Sequence, residues 1–344
     1  MNNKILVTGG TGYIGSHTVV ELINEGFDVV IIDNLSNSNL EVLDGIESIT
    51  GVRPQFEKFD LQDKAKVDDF FQQNPAINAI IHFAALKAVG ESVDKPLAYY
   101  RNNLTLIMNL MDAMVRHNIS NLVFSSSCTV YGEPEDLPVS EESPVQKPSS
   151  PYGNTKKISE EIMSDAIAAY QALKGISLRY FNPIGAHPSA LIGELPIGVP
   201  ENLVPFITQT AIGLRDELKV FGNDYNTPDG SAIRDYIYVV DLARAHLVAL
   251  NRLLQKKNKS QFEVFNLGTG NGVSVLEMVK TFEKVTNKKL YYRIVDRRPG
   301  DVEKVWADTS YANKELGWKA ETSLEDTLAS AWKWEQYYRQ KKQG

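Results

Sequence analysis

Tyr152 and Lys156 stand four residues apart in Ser150-Pro151-Tyr152-Gly153-Asn154-Thr155-Lys156, where a serine followed by proline predicts the first turn of a helix. On a helix, that spacing puts both side chains on one face. A free phenol, with a pKa of about 10, is a poor base at neutral pH, and a neighbouring cation lowers that value by stabilising the phenolate. The pair therefore reads as a candidate acid/base catalyst. Spacing alone does not select it, because Tyr170/Lys174, Tyr337/Lys341 and Tyr338/Lys342 share it.

The elements that must position the pair alternate strand and helix. Lys4 to Val7 reads as a buried strand, Thr8-Gly9-Gly10-Thr11-Gly12-Tyr13-Ile14-Gly15 as a glycine loop, and the residues to about Glu25 as an apolar-periodic helix. A second apolar run, Asp28 to Ile32, ends on Asp33, eighteen residues past Gly15. Gly9, Gly12 and Gly15 let backbone approach a pyrophosphate, the helix N-terminus offers unpaired amides, and Asp33 accepts ribose hydroxyls. Asp33 would repel a ribose 2′-phosphate, so the expected dinucleotide is NAD rather than NADP. Asp60, past a strand at Pro54 to Lys58, is expected either to receive an adenine amino group or to cap the helix from Asp63.

Strands at Ala79 to Phe83 and Asn121 to Ser126, with a helix from about Pro96 to His117 between them, continue an α/β, doubly wound parallel sheet. On that helix Tyr100, Leu104, Ile107, Met108, Met111, Met114 and Val115 are expected mostly in the core. Their surface is wider than one sheet face needs, which raises pairing between subunits. Ligands of such a sheet bind at the carboxyl ends of its strands. Ser125 to Thr129 is one such end, and Tyr152 opens the helix after the Glu133 to Ser150 loop. Tyr170 is far along that helix, and Tyr337 and Tyr338 fall in a terminal, basic helix expected to be solvated.

In the second half the pattern predicts a helix at Leu203 to Leu214, a short strand at Lys219 to Phe221, a helix at Val240 to Leu254 and a strand at Phe262 to Leu267. Gly268-Thr269-Gly270-Asn271-Gly272 lacks the spacing of the first glycine loop and reads as a turn. Arg234 and Arg298 suit a diphosphate in charge and geometry. With 344 residues, 43% of them hydrophobic, the chain can build a sizeable core, and a net charge of -7 argues against nucleic acid or anionic membrane as partner. Cys128 is the one cysteine, which excludes an internal disulfide, and the five histidines lack metal-ligand spacing, so no metal is expected. Without a leader-like N-terminus or an apolar run near the ~20 residues of a membrane span, a cytoplasmic location is expected.

The glycine loop, the strand-end serines and Tyr152-x-x-x-Lys156 resemble the extended short-chain dehydrogenase/reductase superfamily. Within it, the stretches His82 to Ser92, Arg179 to Pro188, Phe221 to Tyr225, Arg234 to Ile237 and Arg297 to Asp301 resemble the UDP-glucose 4-epimerase family over essentially the whole chain. Sister 4,6-dehydratases carry an Asp-Glu pair after the strand-end Ser/Thr; Cys128-Thr129 stands there instead, without the extra acid and base. The resemblance implies a Rossmann-like NAD domain over 1–180, with the chain returning to it around 235–267, and a smaller interleaved UDP-sugar domain over 181–344. A homodimer is also implied.

By the same resemblance Ser127, Tyr152 and Lys156 are catalytic. Gly9, Gly12, Tyr13, Ile14, Gly15, Asp33, Asn34, Asp60, Leu61, Phe83, Ala84, Lys87, Asn102, Ser125, Tyr152, Lys156 and Tyr180 are the implied cofactor site. Lys87, Ser127, Tyr152, Phe181 and Tyr236 are implied substrate contacts, Asn182, Asn202 and Leu203 border the diphosphate with Arg234 and Arg298, Lys219, Val220 and Phe221 border the uracil, and Asp301 holds the uridine ribose. Epimerases restricted to plain hexoses carry a tyrosine seven residues after the motif arginine, where this chain has Val305, so N-acetylated sugars are expected to fit as well. Another nucleotide-sugar epimerase, an NAD-dependent sugar reductase, and a non-catalytic NAD-binding sensor are the competing readings.

Overall fold

Ile5-Leu6-Val7 and Val29-Val30-Ile31-Ile32 are continuously apolar, the pattern of strands covered by helices on both faces, and all of these side chains are buried. In the computed structural model, which describes residues 3–298 and 301–343, they lie in a seven-stranded parallel sheet. The chain runs β1 (Lys4–Thr8), α1 (Tyr13–Asn24), β2 (Asp28–Asp33), α2 (Glu41–Thr50), β3 (Gln55–Lys58), α3 (Lys64–Gln73), β4 (Ile77–His82), α4 (Val89–Asp94), α5 (Pro96–Arg116), β5 (Asn121–Ser125), α6 (Pro151–Ala169) and β6 (Lys174–Tyr180). It then leaves the sheet for β7 (Asn182–Ile184), α7 (Leu203–Ala211), β8 (Leu218–Phe221) and β9 (Ile233–Tyr238). It comes back through α8 (Val239–Leu254) and β10 (Phe262–Leu267), and ends with β11 (Gly272–Ser274), α9 (Val275–Thr286), β12 (Tyr292–Val295), β13 (Lys304–Val305), α10 (Ser310–Leu316) and α11 (Leu324–Gln343).

The large sheet has the order β10-β6-β5-β4-β1-β2-β3, so strand order reverses between β1 and β4, where a Rossmann sheet opens its ligand crevice. Alternate residues of each strand face opposite layers. Ile5, Val7, Val29 and Ile31 pack with α1, α2 and α8, whereas Leu6, Val30 and Ile32 pack with α3, α5 and α6. A smaller layer forms around β9, which pairs with β7, β11 and β13, and its core of Val204, Ile207, Val220, Met278, Phe282 and Leu328 lies between α7, α9 and α11.

Several expectations change. The sequence pattern does not predict α2 or β6, and Asp235 to Tyr238 belong to the small sheet, so the return to the large sheet begins with α8. On α5, Ile107, Met111 and Met114 are buried with Tyr99, Leu106 and Leu110, but Met108 is exposed and Tyr100, Leu104 and Val115 only half-buried. The terminal helix is not simply solvated, since Leu328, Ala331, Trp334 and Glu335 are buried. Gly268 to Gly272 does form a turn, running into β11 and then α9, which starts at a Ser274/Glu277 capping box. Pro299 and Gly300, inside the Arg297 to Asp301 motif, lie outside the described residues.

One buried ion pair joins α6 to β6. Glu160 accepts hydrogen bonds from Arg179 Nη2 at 2.6 Å and from the hydroxyls of Ser126 and Ser177, each at 2.6 Å. Arg179→Met strands this carboxylate without its cation, and urea denaturation should register a loss of about 3–5 kcal/mol; a loss under 1 kcal/mol would show the pair to be dispensable.

Candidate active site

Three local devices bring Ser127, Tyr152 and Lys156 together. Ser150 caps α6, its hydroxyl accepting from the Gly153 N–H at 3.2 Å, and Pro151 occupies the first turn, so Tyr152 emerges at the helix N-terminus. Thr155 receives a hydrogen bond of 2.9 Å from Asn103 Nδ2 on α5, and Asn103 also exchanges bonds with the Leu86 backbone, which ties α6 to the loop after β4. Lys156, one helical turn past Tyr152, is buried and donates to the Ser125 carbonyl oxygen at 2.6 Å. Ser127 follows in extended backbone and accepts from the Thr129 N–H at 3.2 Å.

The electrostatics differ from the sequence expectation. Burial pushes the Lys156 ammonium down to about 7, with Glu160 opposing, and pushes the Tyr152 phenol up, with Tyr180 adding and Ser127 opposing. Lys156 Nζ is 5.9 Å from the Tyr152 ring centroid and 4.8 Å from that of Phe124. Burial is thus the largest influence on the Tyr152 phenol in this site. Tyr180 is buried beside them and shares a 2.5 Å hydrogen bond with the Ser125 hydroxyl. Of the other Tyr/Lys pairs, Tyr170 is exposed at the far end of α6, and Tyr337 and Tyr338 stand on α11.

The loop from β1 to α1 fits a dinucleotide. Gly9 has φ +71°, and a Cβ there would lie 2.7 Å from the Ala84 nitrogen; a Cβ on Gly15 would run into the Gly9 carbonyl oxygen. Gly12 caps α1 without any side-chain acceptor, which leaves amides of the Tyr13-Ile14 turn for a ligand. Asp33 is held at the end of β2 by the Leu35 N–H at 2.9 Å and the Thr11 N–H at 3.3 Å. Asn34 donates to Asp60 at 3.0 Å. Asp60 does not cap α3, because Asp63 does so by accepting from the Lys66 N–H at 3.2 Å; Asp60 instead accepts from the Gln62 N–H at 2.8 Å. Leu61 is buried, Phe83 and Asn102 are half-buried, and Lys87 is exposed.

From the other half, β7 and β13 flank β9 and carry Asn182 and Val305 to this crevice. Asn182 pairs with Tyr236, which is buried, and Val305 pairs with Arg234. Val305 packs with Phe181, Tyr131 and Val130, against which Cys128, next to Ser127, also rests. Arg298 makes a forked contact with Asp301, at 2.7 and 3.2 Å, and Arg234 Nη2 lies 3.8 Å from the same carboxylate. The Arg298 guanidinium sits 5.6 Å from the exposed Phe221 ring. Lys219 is exposed, but the Val220 side chain is in the core, so only its backbone is free to border a base. Asn202 is the N-cap of α7 and Leu203 its first residue.

Sequence reasoning passed over three carboxylates here: Glu160, Asp235 and Glu194. Glu160 carried a signal, since it follows Lys156 by four residues and so shares its helix face. Asp235 sits inside a quoted motif, but its four N–H and O–H donors come from Thr269, Gly270 and Ala307, far along the chain.

The model of one family, described as GDP-mannose 4,6 dehydratase, matches residues 6–331. A UDP-glucose 4-epimerase from Bacillus subtilis is 52% identical over 331 residues, covering 96% of each chain. The crystal structure of a UDP-glucose 4-epimerase from Stenotrophomonas maltophila, with bound NAD and formylated UDP-arabinopyranose, superposes with a TM-score of 0.94 at 47% identity over 99% of each chain. A second, from Bifidobacterium longum in complex with NAD+ and UDP, also gives 0.94, at 46% identity over 98% of this chain and 99% of that one. With likeness of this extent in both sequence and fold, the chain belongs to the UDP-glucose 4-epimerase family of the extended short-chain dehydrogenases/reductases.

Proposed function

We propose that the protein interconverts UDP-glucose and UDP-galactose in the cytoplasm through a transient 4-keto sugar, with NAD held by the Gly9 to Gly15 loop and Asp33. The observation that supports this reading is that Lys156, one turn past Tyr152 on α6, donates to the Ser125 carbonyl oxygen at the end of β5, two residues before Ser127, while Arg234 and Arg298 both face Asp301. When bound, NAD supplies a positive charge and a reversible acceptor for the hydrogen on carbon 4. Tyr152, as the phenolate that the Lys156 ammonium and the charge of bound NAD would favour, takes the proton of the 4-hydroxyl and later returns it, and Ser127 hydrogen-bonds that hydroxyl. Arg234 and Arg298 grip the diphosphate, whereas Phe181 and Val305 give the hexose an apolar wall with no fixed hydrogen bonds. Tight phosphates and a loosely held ring let the keto sugar turn and receive hydrogen on its other face. A dehydratase is disfavoured, because burial pushes the Cys128 thiol up to about 12 and Thr129 is no acid.

Val305, in place of a phenol ring, leaves room of the order of an acetamido group, so we infer that UDP-N-acetylglucosamine and UDP-N-acetylgalactosamine are interconverted too. A homodimer built on α4 and α5 would cover Val93, Leu97 and Met108, which are 59%, 73% and 46% exposed.

Tyr152→Phe should lower turnover of UDP-galactose by about 10²-fold or more while the purified protein still carries NAD; turnover within a fewfold of wild type would end the assignment. Val305→Tyr should abolish epimerisation of UDP-N-acetylgalactosamine and leave that of UDP-galactose, and a wild type inactive on the N-acetyl sugar would refute the pocket argument. Sedimentation of the wild type should give a dimer and of Met108→Lys a monomer; a wild type that runs only as a monomer would overturn the dimer.

A further inference from the structure

Glu194, in the segment between β7 and α7, is a nearly buried carboxylate, its side chain 10% exposed, with no arginine against it among the described residues. Its Oε1 accepts a hydrogen bond from Asn202 Nδ2 at 2.5 Å and lies 3.9 Å from Lys87 Nζ. The loop that carries it is fixed from behind, because the Trp334 indole N–H donates to the Glu194 carbonyl oxygen at 2.9 Å. Asn202 and Lys87 are also the amide and the ammonium assigned above to the UDP-sugar. One carboxylate oxygen therefore shares its donors with a diphosphate, and the two anions repel each other across a partly desolvated site.

We propose that Glu194 couples UDP-sugar binding to the uptake of a proton: the arriving diphosphate converts the carboxylate to its neutral acid, which keeps the Asn202 hydrogen bond and releases Lys87 to the phosphates. The proton comes from solvent, and the one covalent change is an O–H bond on Glu194. The inference rests on the UDP-sugar reading above. Its surroundings suit the role. Burial already raises the Glu194 carboxyl, opposed by Lys87 and Asn202, so a bound anion moves it further in the same direction. Titratable and charged groups from several elements face it. From α1, the Tyr13 phenol is raised, chiefly by burial and also by Glu194, and behind it His17 is pushed down to about 3 by burial. His187, beside His17, is lowered by burial, and on β9 burial takes Tyr238 up to about 12. On α11, Lys333 donates to the Pro188 carbonyl, and Glu201 next to Asn202 is exposed.

The sign follows from linkage. A ligand that raises the pKa of Glu194 binds most tightly below the free-protein pKa and weakens as pH rises toward the bound-state pKa, by up to about tenfold per pH unit where a full proton is taken up. Isothermal titration of the NAD-loaded protein with UDP-glucose, whose phosphates do not titrate in the mildly acid to mildly alkaline range, reads proton uptake when repeated in buffers of different ionisation enthalpy. Wild type should take up protons and bind less tightly as pH rises. Glu194→Gln keeps the size and the acceptor for Asn202; it should bind without proton uptake, with a flat pH profile, and about tenfold more tightly than wild type at the alkaline end. Lys87→Gln should move the wild-type window to higher pH, because the ammonium no longer opposes burial. Binding of UDP-glucose without proton uptake, or equal uptake in wild type and Glu194→Gln, overturns the coupling alone; absence of UDP-glucose binding overturns the UDP-sugar reading with it.

Discussion

Lys156 carries an ammonium that has been taken out of water and given the Ser125 carbonyl oxygen at 2.6 Å as its hydrogen-bond partner. A buried cation so placed is costly, and burial pushes the Lys156 ammonium down to about 7. The arrangement holds only if β5 ends where it does and α6 begins where it does. Ser150 and Pro151 set the helix start, and Asn103 locks the intervening Thr155. Tyr152 and Ser127 take their places as consequences of the same two termini.

Beneath this site lie two further buried carboxylates, each satisfied by several donors. Glu160 binds Ser126 at the strand end and Arg179 on β6, so the floor under Ser127 is anchored to the helix that bears Tyr152. Asp235 gathers N–H groups from Thr269, Gly270 and Ala307, which draws the β13 end and its Val305 against β9. Hydrogen-bonded carboxylates of this kind specify geometry more than they add net stability. Here they set the positions of groups contributed by distant parts of the chain.

What could be read in the sequence was what is local. The β1–α1 glycine loop, the acid closing β2 and the capped start of α6 are signals within a few residues, and the alternation of apolar runs pointed to the sheet. The split of α5 into a buried side at Ile107 and an exposed side at Met108 was not legible, because adjacent apolar residues say nothing about which neighbour covers them. The raised Tyr152 phenol was missed for a related reason: Tyr152-x-x-x-Lys156 shows a cation nearby, but the burial that raises the phenol depends on how the whole site closes. Likewise the meeting of Arg234, Asp301 and Arg298 depends on β9 and the segment before β13 being laid side by side. The family resemblance named those residues; spacing along the chain did not.

The outermost strand next to β6 is β10, paired along its length from Phe262↔Gly175 to Leu267↔Tyr180. That strand is synthesised only after all of β7 to α8 has been made. On a ribosome the first six strands would therefore emerge with the β6 edge uncovered, exposing unpaired N–H and C=O groups until residue 267 leaves the tunnel. The two halves cannot be expressed as separate pieces without cutting that sheet, so the order in which the chain is made binds the fate of the first half to that of the second.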